Sequence, residues 1–393
     1  MKSSLSIMVV FGTRPEAIKM APVVEALRAR TRCCESLHLC VCVTGQHREM
    51  LDGVLDLFDV SPDFDLRVMQ QGQDVTDITV RVLTGMRDAL RQVRPDLVLV
   101  HGDTTTAFAA GVASFYEKIP VGHVEAGLRS GDIYAPWPEE MNRRMADTVS
   151  TLFFAPTEQA RANLLAEGVN AEAIFVTGNT VIDALLQISK RIDSDAVIAT
   201  RLAQQFSFLD SQRRLILVTG HRRESFGAGF ECICLALREI ANMDGLQIIF
   251  PVHLNPNVQE PVRRILGSLP NVHLIDPLPY PQFVYLLKRA YLVITDSGGI
   301  QEEAPSLGKP VLVMRDRTER PEAVKEGTVK LVGTSREVIV AETLRLLADQ
   351  REYQRMSRAH NPYGDGQAAS RIADICVRFL GLSEKASAIS LPP

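Results

Sequence analysis

Three acidic residues stand where a carboxylate could move protons. Asp103 lies in Gly102-Asp103-Thr104-Thr105-Thr106, a turn whose hydroxyls and N–H groups can hold a carboxylate ionised. The same position suits a helix N-cap, and the two readings are compatible. Glu125 follows an apolar, strand-like run, between His123 and Arg129, where a carboxylate is seldom placed for packing. Glu139 lies in Tyr134-Ala135-Pro136-Trp137-Pro138-Glu139-Glu140-Met141-Asn142-Arg143, where two prolines and the only tryptophan make a stiff loop entering a helix. Glu139 reads equally as an acid–base group or as a first-turn acid that complements the helix dipole; for Glu140 the dipole reading is preferred. Basic candidates are Arg14, Lys19, His221, Arg222, Arg223, Arg315, Arg317 and Arg320. Pro15 fixes the loop carrying Arg14, and Arg320 precedes a proline that opens a helix. His221, just after Gly220 at a strand end, could donate to a phosphate or act as an acid. His101, His123 and His253 also lie near strand ends and read as structural.

The segment Asp296-Ser297-Gly298-Gly299-Ile300-Gln301-Glu302-Glu303 follows the apolar run Tyr291–Thr295 and precedes a predicted helix over Glu302–Leu307. A strand, a Ser-Gly-Gly turn and a helix present backbone N–H groups and the positive end of a helix dipole to a phosphate. Glu303, one turn beyond Gly299, could accept hydrogen bonds from ribose hydroxyls. An ordinary glycine-rich turn is the competing reading of this segment.

These residues need a scaffold, and the chain alternates strand-like and helix-like segments almost throughout. Strands are predicted at Ser6–Phe11, Leu37–Thr44, Asp96–His101, Val121–Glu125, Leu152–Ala155 and Ala173–Thr177. A second set follows at Leu215–Thr219, Gln247–Pro251, Val272–Ile275, Tyr291–Thr295, Pro310–Met314 and Thr328–Val332. Amphipathic stretches include Ala17–Arg30, Thr105–Tyr116, Glu231–Ala241 and Phe283–Ala290. Such alternation predicts an α/β protein with parallel sheets covered by helices on both faces. About twelve strands are too many for one such sheet, so two doubly wound domains are expected. Residues 1–178 would form the first domain and residues 179–366 the second. A C-terminal helix at about 367–382 would pack back on the first, and 383–393 would be a loose tail. In doubly wound sheets ligands bind beyond the carboxyl ends of the strands. The polar loops beginning at Gly12, Thr44, His101, His123 and Gly220, and the Ser-Gly-Gly turn, all fall there, which points to a cleft between the domains.

With 43 basic and 47 acidic residues and a net charge of −4, bulk charge supplies no drive toward nucleic acid or a membrane surface. No run approaches the length of a transmembrane helix, and Leu5–Phe11 reads as a first strand and not as a signal peptide. Seven cysteines without a Cys-x-x-Cys pair read as free thiols in a reducing cytoplasm. Cys33, Cys34 and His38 lack a standard metal-ligand spacing, and no metal site is expected. No Gly-x-Gly-x-x-Gly follows the first strand and no P-loop occurs, so neither NAD nor P-loop ATP binding is supported.

Taken in order, the motifs resemble the non-hydrolysing UDP-N-acetylglucosamine 2-epimerases of bacteria. The resemblance is carried by Phe11-Gly12-Thr13-Arg14-Pro15-Glu16-Ala17-Ile18-Lys19, His101-Gly102-Asp103-Thr104 and His123-Val124-Glu125-Ala126-Gly127-Leu128-Arg129. Pro138-Glu139-Glu140 with Asn142-Arg143, Thr219-Gly220-His221-Arg222-Arg223-Glu224 and the Asp296–Gly308 segment complete it. It implies two Rossmann-like domains facing across a cleft, as in the glycosyltransferase-B and phosphorylase group, and a homodimer. It further implies interconversion of UDP-GlcNAc and UDP-ManNAc for surface polysaccharides, without a cofactor. By that resemblance Asp103, Glu125 and Glu139 are the acid–base set and His221 assists at the diphosphate. Arg14, Lys19, Ser297, Gly298, Gly299, Glu303 and Arg320 would contact the nucleotide sugar, and Phe283 and the main chain near Leu278 the uracil. Some relatives bind a second UDP-GlcNAc beside the loop of Gln46; Glu49 and Gly72 here depart from that pattern.

The residues suit such chemistry. The C2 proton of an N-acetyl sugar is not acidic, and without oxidation by NAD the open route expels UDP from C1 as a base takes that proton. UDP then adds back to the glycal as a proton arrives on the opposite face. A glycosyltransferase using the same UDP site, a 2-epimerase of a related UDP-diacetamido uronate and a catalytically silent UDP-sugar sensor are the alternatives. Three clustered acids, and no apolar acceptor surface evident in the sequence, argue against the transferase; retained acids argue against the sensor.

Overall fold

A computed structural model describes residues 4–45 and 48–382. The first set of strands is β1 (Leu5–Phe11), β2 (Leu37–Val43), β3 (Phe64–Asp65), β4 (Leu97–His101), β5 (Val121–Val124), β6 (Leu152–Ala155) and β7 (Ile174–Val176). The second is β8 (Arg214–Thr219), β9 (Leu246–Pro251), β10 (Val272–Ile275), β11 (Leu292–Thr295), β12 (Val311–Val313) and β13 (Val329–Leu331). They form a seven-stranded sheet ordered β3-β2-β1-β4-β5-β6-β7 and a six-stranded sheet ordered β10-β9-β8-β11-β12-β13. Every pairing within them is parallel. Strands covered on both faces must be apolar on both faces, which is why the runs are continuous and not alternating. Met8 through Phe11 and Leu97 through Val100 have no exposed surface at all.

The chain divides into two units, Met1–Ala184 with the segment from Tyr363 onward, and Leu185–Pro362. The helix Thr180–Ser194 runs through their junction. In the first unit Cys40 and Cys42 share one buried layer with Met8, Val10 and Met86. The C-terminal helix Ala368–Phe379 packs against the first helix, Arg14–Cys33, where Arg30 Nε donates to Asp374 Oδ1 at 2.7 Å and Arg30 Nη2 to Ser370 Oγ at 3.2 Å.

One strand and several helix starts depart from expectation: the stretches predicted from Ala17, Glu231 and Phe283 open three residues earlier, at Arg14, Ala228 and Tyr280. β3 is a two-residue edge strand pairing with the end of β2, too short to carry a periodic signal. The helix predicted over Glu302–Leu307 runs from Gly298 to Ser306, so both glycines form its first turn instead of a turn before it. Glycine's poor helix propensity hides such a start from a sequence reading. Gln46, His47 and the tail 383–393 lie outside the described residues.

The C-terminal helix is anchored by a buried carboxylate. Asp183 accepts from the Ala369 N–H at 2.9 Å and from the Ala368 N–H at 3.2 Å. Burial pushes its carboxyl up to about 6 despite those two donors. A group whose folded value lies above its unfolded one favours the folded state at low pH. That stabilisation is fully present below the unfolded value and is lost as the pH rises through about 6. The Asp183 contribution to unfolding free energy is therefore expected to fall by about 3 kcal/mol between acid and neutral pH. Denaturant titrations across that range should give wild-type and Asp183→Asn pH profiles that differ by this amount; parallel profiles would remove Asp183 as a source.

Candidate active site

Each sheet has a switch point where strand order reverses, β1/β4 in the first unit and β8/β11 in the second. Loops leaving the carboxyl ends there diverge to opposite faces, so their polar groups are left for a ligand.

In the first unit Thr13 caps the first helix and Glu16 completes a capping box. Glu16 Oε2 accepts from the Gly12 N–H at 3.1 Å and the Thr13 N–H at 2.7 Å, and its Oε1 accepts from Thr104 Oγ1 at 2.6 Å. One buried carboxylate thus ties the loop after β1 to the loop after β4. Burial raises its pKa, against the hydrogen bonds from Thr104 and Thr13. The loops touch so closely that a Cβ on Gly12 would lie 2.0 Å from Thr44 Oγ1 and 2.4 Å from Thr106 Oγ1.

Thr104, not Asp103, caps the helix Thr105–Tyr116, its Oγ1 accepting from the Ala107 N–H at 3.1 Å. The Asp103 carboxylate instead pairs with Arg143 Nη2, and the Asp103 carbonyl accepts from Asn142 Nδ2 at 3.0 Å. Both partners sit on the helix Glu139–Thr148, whose first residue is Glu139. Glu139 is half-buried, and its Oε2 has no hydrogen-bond partner. Glu140 is fully buried and accepts from Arg143 Nη1 at 3.1 Å, Arg144 Nε at 3.0 Å and the Ser130 N–H at 3.0 Å. It anchors the helix, while Glu139 is left for other chemistry.

Glu125 follows β5 in the left-handed region, φ 68°. This conformation is costly for a residue with a side chain and is held by its contacts. Lys19 Nζ pairs with Glu125 Oε2, and Asn179 Nδ2 donates to the same oxygen at 2.8 Å. His101 Nε2 lies 3.8 Å from that oxygen. Burial drives the His101 imidazole down to about 4, so it is neutral near pH 7. His123 is fully buried between Asp147 Oδ1 at 2.6 Å and the Gly102 carbonyl at 2.8 Å, which is a structural post under the Asp103 loop. Arg14 opens the first helix, half-buried and without an ion pair or hydrogen bond among the described residues.

In the second unit Ser297 is the N-cap of the helix Gly298–Ser306, and no side chain caps it. Its first-turn N–H groups therefore carry the helix's positive end without an internal acceptor. Arg320 lies against this end: a Cβ on Gly298 would come within 2.8 Å of the Arg320 guanidinium carbon. The guanidinium is held by Glu302 Oε1 at 2.8 Å and Glu319 Oε1 at 3.2 Å. Glu303 is buried and accepts from Tyr280 Oη at 2.6 Å. Leu278 precedes, and Phe283 lies within, the helix Tyr280–Arg289; both are half-buried. His221 follows β8, where Thr219 pairs with Thr295 of β11, so it stands beside the Ser297 turn. Burial lowers its pKa against the opposing pull of Asp296.

Asp103, Glu125, Lys19 and the start of the Glu139 helix thus gather at one edge of the first sheet, with Arg14 opening the first helix there. His221, Ser297, Gly298, Gly299 and Arg320 gather at one edge of the second. Glu16, Asn142, Arg143, Asn179, Tyr280, Asp296 and Glu302 also build these edges and were not singled out as site residues in the sequence. Only Glu16 carried a local signal, the capping-box spacing from Thr13.

Two Rossmann-like units in one chain define a protein of the glycosyltransferase-B-like two-domain α/β class. The model of the UDP-N-acetylglucosamine 2-epimerase family matches residues 30–377. A UDP-N-acetylglucosamine 2-epimerase of Escherichia coli O157:H7 is 60% identical over 371 residues, covering 94% of this chain and 98% of its own length. The crystal structure of the Neisseria meningitidis UDP-GlcNAc 2-epimerase bound to UDP-GlcNAc superposes with a TM-score of 0.89 at 47% identity, covering 95% of this chain and 100% of that one. The Methanocaldococcus jannaschii UDP-GlcNAc 2-epimerase in complex with UDP-GlcNAc and UDP gives a TM-score of 0.78 at 33% identity over 96% of this chain and 99% of its own. The chain belongs to the UDP-N-acetylglucosamine 2-epimerase family.

Proposed function

We propose that the protein interconverts UDP-N-acetylglucosamine and UDP-N-acetylmannosamine at C2, by eliminating UDP and adding it back, without a redox cofactor. The observation that carries this reading is the gathering of Asp103, Glu125 and the Glu139 helix at one sheet edge. C2 inversion through a glycal needs a group that removes the proton from one face and a group that returns one to the other. Asp103, Glu125 and Glu139 supply these roles. The uncapped helix at Ser297–Gly299 and Arg320 take the diphosphate, with Arg14 and Lys19, where leaving-group charge develops. Phe283 and the main chain at Leu278 hold the base, and Glu303 the ribose. The enzyme works in the cytoplasm as a homodimer. The seven unpaired cysteines support the compartment, and no helix among the described residues is long and apolar enough to cross a membrane.

Proton NMR of UDP-N-acetylglucosamine with the purified protein in D₂O, without added cofactor, tests the reaction. The expected result is the manno epimer carrying deuterium at C2. An unchanged spectrum would overturn the epimerase reading and return the UDP-dependent transferase, which needs an acceptor.

Gly298 offers a test of the nucleotide site. Alanine there would press a methyl into a guanidinium already fixed by Glu302 and Glu319. Displacing that paired guanidinium should also lower the melting temperature modestly, so binding is read well below the new midpoint. UDP affinity measured by calorimetry is expected to fall by about tenfold or more. Unchanged affinity would place the diphosphate elsewhere.

A further inference from the structure

The buried residue Asp296 is only half accounted for by the loop it holds. Its side chain has no exposed surface, and Oδ2 accepts from the backbone N–H groups of His221 at 2.7 Å and Arg222 at 2.8 Å. Its other oxygen, Oδ1, is buried and has no hydrogen-bond partner. Leaving a buried carboxylate oxygen unpaired is expensive, and such an atom calls for an explanation. Among the described residues, the ionisable group recorded against it is the His221 ring, whose Nδ1 lies 3.5 Å away. A small ring rotation closes that gap to a charge-assisted hydrogen bond.

The surroundings of the ring limit the alternatives. His253, after β9, stacks on His221 with centroids 5.4 Å apart and planes 20° from parallel. The Asn255 N–H donates to His253 Nδ1 at 3.1 Å, so that nitrogen is an acceptor and the His253 proton sits on Nε2. The charged or titratable groups that act on His221 are therefore Asp296 after β11, Arg222 after β8 and His253 after β9. Of the three, Asp296 alone accepts a proton from Nδ1.

We infer that Asp296 is a positioning residue for His221: its Oδ1 takes the Nδ1–H, holds the ring in that tautomer and leaves Nε2 as the atom that meets the ligand's diphosphate. In the free protein Nε2 then carries a lone pair. When a diphosphate anion adds a second negative charge, the imidazole gains a proton from solvent at Nε2 and donates it as a hydrogen bond, with Asp296 stabilising the cation from behind. The arrangement is the carboxylate–imidazole pairing known from hydrolase triads, used here without a nucleophile. This inference rests on the proposed function only for its ligand; the ring tautomer is independent of it.

The test is long-range ¹H–¹⁵N NMR of the histidine side chains in the free full-length protein, with His221→Gln used to assign the signal. His221 is expected as the Nδ1–H tautomer, shifting to imidazolium on addition of UDP. Asp296→Asn keeps one oxygen for the loop N–H groups but offers an NH₂ to the ring, and should flip it to Nε2–H. Its turnover should fall by about 10²–10⁴-fold with KM within about threefold, and the pH–rate limb assigned to His221 should move. An Nε2–H tautomer in the wild type overturns the inference, and so does a variant with wild-type turnover and pH profile. If the variant does not fold, the wild-type tautomer decides alone. A wild type that shows the Nδ1–H tautomer but no epimerisation would refute the proposed reaction and leave the pairing standing.

Discussion

Asp103→Asn, Glu125→Gln and Glu139→Gln should each lower turnover by about 10²–10⁴-fold, the usual worth of a positioned acid or base, with little change in UDP affinity. The separation follows from where the residues sit. All three belong to the first unit; of the groups proposed to take the diphosphate, the helix end and Arg320 belong to the second and only Arg14 and Lys19 to the first. Glu125 should show the least clean separation, because its partner Lys19 is itself proposed to meet the diphosphate. Its Oε2 is occupied by Lys19 and Asn179, and glutamine would turn one of those donors against an NH₂ or leave it unpaired. Steady-state rates by coupled assay and UDP titration by calorimetry check this. Wild-type turnover in any one variant removes that residue from the mechanism.

Arg143→Met should be the most destabilising of the substitutions considered and should disable the site as well. Its guanidinium lies between Asp103 and the fully buried Glu140, and its side chain is 9% exposed. Removing one partner of a buried ion pair strands the other, at about 3–5 kcal/mol. Arg144 Nη2, 2.9 Å from Glu140, offsets part of that loss. At the usual sensitivity for a unit of this size the melting temperature would fall by roughly 6–20 °C. Asp103 would lose its only side-chain ion pair among the described residues, so turnover should drop even where the fold persists. Differential scanning calorimetry with rates below the new midpoint separates the two effects. A variant that melts and turns over like the wild type would show that Arg143 neither holds Glu140 nor orients Asp103.

The two cases differ in how far a sequence reading could reach. Asp103, Glu125 and Glu139 were visible because each stands at the end of an apolar run or at the mouth of a stiff loop, where packing offers no reason for a carboxylate. Arg143 had no such mark: its partner Asp103 is 40 residues away, and nothing in the spacing joins them. The same holds for Thr104 with Glu16 across 88 residues, Asn179 with Glu125 across 54, and Asp296 with the His221 loop across 75.

Local physics therefore determined most of the scaffold from sequence alone. Parallel strands buried on both faces demand continuous apolar runs, and twelve of them stand where those runs predicted, bounded by the polar loops at their carboxyl ends. Tertiary structure decided what local energy leaves degenerate. A two-residue edge strand pairs only because β2 is already there, and a Gly-Gly pair becomes helical only because β11 and the buried Ile300–Pro305 face hold it. It also decided which of several equivalent acids are consumed as anchors. Glu140 and Glu139 are neighbours with the same propensity. The helix turns Glu140 toward Arg143 and Arg144 and leaves Glu139 with an unpartnered oxygen, because adjacent residues on a helix face different directions.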